Sequence, residues 1–188
     1  MTLLLIGLVL FFAPHLIPMA PARRARMLER LGENRYKIGF SLVTGLGFVL
    51  IVWGYMRAPA EPFLYAPWPS ARAVAPLALT VAFIFLAAAH TRSHLRAWFK
   101  HPMLIGVAIW ALVHLLANGE LRAVWLFGAF LLYALVDLVS AIQRRAHKTF
   151  APSIAQDALA VAAGLGAALL VMLLHRHLFG VPVVAWGW

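Results

Sequence analysis

Four residues spaced by four, Gly106, Trp110, His114 and Asn118, lie within the stretch KHPMLIGVAIWALVHLLANGE. Residues four apart share one face of an α-helix, so this spacing predicts a stripe carrying a small residue, an indole, an imidazole and an amide. A neutral imidazole can ligate metals and haem iron. His114 is therefore a candidate metal ligand, and Trp110 and Asn118 are candidates to contact a planar cofactor, for which Gly106 leaves room. The alternative is a hydrogen bond from His114 to a neighbouring helix.

His15 is a second candidate ligand, in the stretch FFAPHLIP between Pro14 and Pro18. Proline bends a helix and releases backbone carbonyls from its hydrogen-bond ladder. A histidine in such a bend can point inward and bind a metal. The alternative is an interfacial histidine at a frayed helix end.

Asp137 is the acidic candidate, in the stretch LLYALVDLVSAIQRR. A carboxylate that accepts from the Nδ1–H of a ligand histidine fixes its tautomer and strengthens the other nitrogen as a ligand. That role would make Asp137 part of a cofactor site, orienting His15. The alternative is an ion pair with an arginine just beyond it in the chain.

Five other histidines are predicted to lie at the membrane surface. His90 and His94 have the i, i+4 spacing that can bind a metal, but three basic residues adjoin them. His101 precedes Pro102 at the start of an apolar run, which favours the headgroup level. His175 and His177 flank an arginine and resemble an interfacial cap.

The composition indicates a membrane protein. Of 188 residues 64% are hydrophobic and 12% are charged, with mean hydropathy +0.88, whereas a soluble domain carries about 25% charged residues. The net charge of +10 does not indicate a nucleic-acid partner, because the basic residues cluster between apolar runs. The chain has no cysteine, so disulfides, thiolate ligands and cysteine nucleophiles are excluded.

Apolar runs of helical length predict an all-α, polytopic membrane helix bundle. No soluble domain fits between them, so we expect residues 1–188 to form a single transmembrane domain. The six predicted spans cover about 2–19, 39–57, 73–90, 102–118, 122–142 and 154–178.

The basic residues predict the topology. Twelve of the sixteen Lys and Arg residues lie in the connections 20–38, 90–101 and 143–153. Positive residues favour the cytoplasmic side, so we expect these connections inside and both termini outside.

Two stretches carry a resemblance to a known family. They are PHLIPMAPARRARMLERLGENRYKIGFSLVTGLGF, which contains His15, and KHPMLIGVAIWALVHLLANGELRAVWLFGAFLLYALVD, which contains His114. Together they resemble the NnrU family of bacterial inner-membrane proteins over nearly the whole chain. The 15-cis-zeta-carotene isomerase is similar as a distant relative, and this likeness implies haem b with His15 and His114 as ligands. That enzyme has a cysteine ligand where this chain has Ala111.

The resemblance implies a haem-binding factor that serves nitric oxide and nitrite respiration as sensor, assembly factor or electron carrier, with a respiratory complex as partner. The alternative is a haem-dependent cis–trans isomerase, whose polyene or other hydrophobic small-molecule ligand would enter from the lipid bilayer. A third reading is a methyltransferase, because KHPMLIG is similar to an Arg-His-Pro-x-Tyr-x-Gly motif. Lys100 and Leu104 depart from that motif, and its acidic partner motif is missing.

Overall fold

The computed structural model describes residues 1–180 and 183. These residues form eight α-helices, with a short 3₁₀ turn at Ile17–Met19 after the first. In chain order they are α1 (Thr2–Leu16), α2 (Pro21–Leu31), α3 (Glu33–Arg57), α4 (Ala71–Ala88), α5 (His94–Phe99), α6 (Pro102–Ala117), α7 (Leu121–Gln143) and α8 (Ile154–Phe179).

The prediction of an all-α membrane bundle is confirmed. Within the described part of the chain, five apolar segments are long enough to cross a membrane: α1 with the 3₁₀ turn, α3, α4, α7 and α8. The sixth predicted span is α6, a shorter apolar helix of sixteen residues. Large apolar side chains such as Leu42, Leu77 and Leu132 lie exposed on the helix surfaces, as expected where lipid replaces water. The chain is a multi-pass membrane protein that contacts the bilayer.

The described residues divide into two compact units. The first contains Met1–Tyr65 and Gly119–Ala129, and the second contains Ala66–Asn118 and the described residues from Phe130 onward. The helix α7 contributes residues to both. His15 belongs to the first unit and His114 to the second.

Glycines set the close packing of α1 on α3 in the first unit. A Cβ on Gly47 would lie 3.0 Å from the carbonyl oxygen of Gly7, and one on Gly54 would lie 2.7 Å from the Cα of Leu4. The two backbones therefore approach as closely as small residues allow, which stabilises membrane helix pairs by van der Waals packing. Gly45, on the same helix, has nothing within 4 Å of its Cβ position.

The second unit is built on α4, which packs against both α6 and α8. The sequence pattern Ala160, Gly164, Ala168 is the buried stripe of α8. A Cβ on Gly164 would lie 2.5 Å from the Cα of Ile84 on α4. These four-residue steps therefore mark a helix contact.

The Pro-rich connection between α3 and α4 is held to the start of α7. Leu64 N–H donates to the Gly119 carbonyl at 2.8 Å, and Leu121 N–H donates to the Pro62 carbonyl at 3.0 Å. An isolated antiparallel bridge pairs Phe63 with Glu120 in the same place. The connection thus has defined backbone partners.

Candidate functional site

His15 lies in the last turn of α1, one residue after Pro14. Its Nδ1 is 2.6 Å from the carbonyl oxygen of Phe11, one turn earlier. A carbonyl can only accept, so Nδ1 carries the proton and the lone pair is on Nε2. The ring stacks on Phe11 at 4.6 Å between centroids and lies 5.1 Å from the ring of Phe40 on α3. Both the tautomer and the orientation of this imidazole are therefore fixed.

His114 repeats this arrangement in the last turn of α6. Its Nδ1 is 2.8 Å from the carbonyl oxygen of Trp110, again one turn earlier, so Nε2 again carries the lone pair. The Trp110 ring lies 5.2 Å from the imidazole and contacts the Phe130 ring edge-on at 5.4 Å. The sequence stripe thus places Trp110 directly against His114.

The shared arrangement has a chemical meaning. A histidine that binds a metal through Nε2 usually donates its Nδ1–H to a carbonyl or a carboxylate, which fixes the tautomer and increases the basicity of Nε2. In His15 and His114 the acceptor is the backbone carbonyl four residues earlier. Both residues are thus in the tautomer that allows a metal to bind at Nε2.

Asp137 bonds to side chains other than the histidine that it was expected to orient. Its Oδ2 accepts from the Tyr133 hydroxyl at 3.2 Å, and its Oδ1 accepts from Arg144 Nη2 at 3.2 Å. Arg144 also donates through Nε to Ser140 at 3.0 Å. The structure therefore matches the ion-pair alternative, and backbone carbonyls take the Nδ1 protons of both candidate ligands. Asp137 joins side chains at the end of α7.

Asn118 ends α6 as its C-terminal cap residue. Its Nδ2 donates to the carbonyl oxygen of His114 at 2.9 Å. The last four carbonyls of a helix have no partner within the helix, and this bond satisfies one of them. The amide therefore holds the turn that carries His114.

Gly106 does not leave room for a cofactor. A Cβ there would lie 2.8 Å from the carbonyl oxygen of Ala82 and 3.0 Å from a side-chain atom of Leu86, both on α4. The expectation of open space beside Gly106 is wrong, because the small residue is used for packing α6 on α4. The Gly106 end of the stripe is therefore occupied by α4.

Asp157 was missed by the sequence reasoning. It lies in the first turn of α8 and bonds to His94, with Nδ1 of His94 2.6 Å from Oδ2.

The i, i+4 spacing of His90 and His94 can bind a metal, but the described residues contain no group of three His, Asp or Glu side chains placed to hold one. Haem differs, because its iron needs only one or two side-chain ligands.

Comparison with protein families matches nearly the whole chain. The family model described as "NnrU protein" matches residues 3–183. No curated protein and no solved structure matches the chain.

Proposed function

Because the chain belongs to the NnrU family, we propose that it is a haem-binding protein of the bacterial cytoplasmic membrane that serves nitric oxide and nitrite respiration. The proposal rests on one observation: His15 and His114 have the same tautomer, fixed by the same kind of contact. Each imidazole sits near a helix end in a membrane protein, with its proton on Nδ1 and its lone pair on Nε2. A histidine in this tautomer can bind a metal through Nε2.

The chain's composition restricts the cofactor. Covalent attachment of haem through thioethers requires cysteines, and the chain has none. Thioether-attached haem is therefore excluded, and we propose the haem b that the resemblance implies, with His15 and His114 as its candidate ligands. When bound, its iron would supply one-electron chemistry or a site for nitric oxide.

The other residues near the ligands have supporting roles in this proposal. Trp110 supplies both the carbonyl that orients His114 and an aromatic face beside it. Asn118 holds the carbonyl of His114 and so fixes the end of α6. On the other ligand, Phe11 orients His15 through its carbonyl and its ring.

The test is the absorption spectrum of the purified full chain, produced with ample haem, before and after reduction. Two neutral imidazole ligands predict a six-coordinate, low-spin spectrum with sharp visible bands on reduction. We expect His15→Ala and His114→Ala each to give a high-spin species, and the double variant to retain little haem. His177→Ala is the matched control, because this exposed histidine takes no part in the proposal. A colourless wild-type protein, or a wild-type spectrum in His114→Ala, would overturn it.

The isomerase alternative has less support. In the isomerase that the family resembles, a cysteine near the second histidine acts as a ligand, and here that place is Ala111, which is 0% exposed. Alanine cannot ligate iron, so a ligand exchange at this residue is excluded. Retention of haem with no conversion of a supplied polyene would agree with the proposed respiratory role.

A further inference from the structure

A basic cavity of about 430 Å³ lies between the end of α5 and the segment that follows α7, within the second unit. Its volume is in the range of small-molecule sites, about 300–1,000 Å³. The charged lining residues are Arg96, Lys100 and Lys148, with His147 beside them. None of the described lining residues is acidic. The cavity therefore concentrates positive charge without a carboxylate to neutralise it.

Arg96 is fixed in the wall of this cavity. Its Nη1 donates to the carbonyl oxygen of Thr91 at 3.1 Å, and its guanidinium lies 5.2 Å from the centre of the Phe150 ring. The bond to Thr91 uses one of the five N–H donors of a guanidinium. An arginine held in this way is suited to a planar, multi-point contact with an oxyanion.

Backbone strain is concentrated at the same place. Among the described residues, Lys100 (φ 60°) and Arg145 (φ 50°) are the non-glycine residues with positive φ. Lys100 is the centre of a γ-turn in which His101 N–H donates to the Phe99 carbonyl at 2.6 Å. This form of the γ-turn is rare and strained.

Arg145 lies just after α7, at a position where glycine is the usual residue. After α7, Ala146 N–H donates to the Ala141 carbonyl at 2.9 Å and Arg145 N–H donates to the Ile142 carbonyl at 3.0 Å. This is the Schellman arrangement, whose left-handed residue is usually glycine. Lys100 and Arg145, two basic residues at helix ends beside this cavity, thus both have a strained backbone conformation. Strain of this kind clusters at ligand sites.

The surroundings of the neighbouring His101 agree with a positive potential. Burial of the ring lowers the pKa of His101, and the charges of His147, Arg144 and Lys100 lower it further, while Asp137 opposes them. Asp137 is itself bonded to Arg144, so its charge is largely compensated.

We infer that this cavity binds a phosphate group, and that the phosphodiester headgroup of an anionic lipid is the source its position favours. Arg96, Lys100 and Lys148 come from the short segments that join membrane helices, at the level where headgroups lie. Basic pockets of this kind at the ends of membrane helices bind anionic headgroups. The same donor set would accept a free inorganic phosphate ion.

The test compares lipid retention between variants of the purified full chain in detergent. Native mass spectrometry would measure bound phosphatidylglycerol against phosphatidylcholine supplied in equal amounts. Each basic residue near an anionic surface changes the affinity about five-fold, so Lys100→Gln/Lys148→Gln should lower the affinity about 25-fold. Arg26→Gln, on exposed α2, is the matched control for general charge. If the double variant does not fold, the same comparison is made with Lys148→Gln alone, because Lys148 lies in the non-helical segment after α7.

A second measurement separates the two sources of phosphate. Inorganic phosphate is compared with chloride at equal ionic strength for its effect on the melting temperature. Preferential retention of phosphatidylglycerol that is lost only in the cavity variants supports the lipid. Stabilisation by phosphate alone, lost in the same variants, supports a phosphate site filled from solution. No preference in either measurement, or an equal loss in Arg26→Gln, overturns the inference. Neither readout depends on haem.

Discussion

The imidazole Nδ1 of His94 lies 2.6 Å from Oδ2 of Asp157, and the other carboxylate oxygen accepts the backbone N–H of His94 at 2.7 Å. One carboxylate on α8 therefore holds both the side chain and the first peptide group of α5. The buried Ser93 caps the same helix by accepting from the N–H of Arg96 at 3.2 Å. Short helices depend on such contacts, because six residues cannot sustain a helix by propensity.

Asp157→Asn should lower the melting temperature of the protein in detergent. The amide oxygen can still accept the backbone N–H of His94, but the charge-assisted bond to the ring is lost. His94→Gln should have a similar effect, and the double variant should be no worse than the stronger single one, because both remove one interaction.

Glu29→Gln is the control for the Asp157 prediction, because it makes the same chemical change on exposed α2. It should leave the melting temperature unchanged. Fully additive effects of His94→Gln and Asp157→Asn would show that the two side chains do not stabilise the protein through each other.

The membrane helices could be predicted because hydropathy is a local property of the chain. Each predicted span corresponds to an observed apolar helix, and α8 differs from its prediction by one residue at its end. The start of α3 differs most, since the helix begins at Glu33 rather than near residue 39. The extra turn carries the Lys37–Glu33 pair at 2.6 Å, which supports a helix but lowers the hydropathy.

The sequence indicates which residues are candidates for the site, but it does not indicate which groups they contact. Proline-bend and stripe patterns identified His15 and His114, yet the acceptor of each Nδ1 proton depends on a rotamer that the sequence does not specify. Asp137 is different, because its ion pair with Arg144 is local and is the alternative that the sequence offered for it. The bond between His94 and Asp157 joins residues 63 positions apart, and no local pattern predicts it.

Gly54→Ala should destabilise the pair of α1 and α3. The added Cβ would lie 2.7 Å from the Cα of Leu4, so the two backbones must separate. Overpacking of this kind costs about 1–3 kcal/mol. Gly45→Ala is the matched control on the same helix, where the Cβ meets nothing within 4 Å. Thermal unfolding in detergent measures both, and equal effects of the two variants would contradict the close approach at Gly54.

His101 should make stability depend on pH in the acidic range. Burial and neighbouring cations lower its pKa in the folded protein, while in the unfolded chain the pKa is about 6.5. Above that value the ring is neutral in both states. As the pH falls below it, the unfolded state takes up the proton first, so the free energy of unfolding decreases until the folded pKa is passed. His101→Gln should show a smaller fall in melting temperature between about pH 7 and pH 5, and an unchanged profile would contradict this.

The topology can be tested without background labelling, because the chain has no cysteine of its own. Ala66→Cys, between α3 and α4, and Ala146→Cys, after α7, place single thiols at exposed positions and leave every charge unchanged. If the three basic connections are cytoplasmic, a membrane-impermeant maleimide should label Ala66→Cys in intact spheroplasts. Ala146→Cys should react only after the spheroplasts are permeabilised. That reaction also shows that its thiol is accessible. Labelling of Ala146→Cys in intact spheroplasts would reverse the orientation, and it would place the basic cavity on the outer surface.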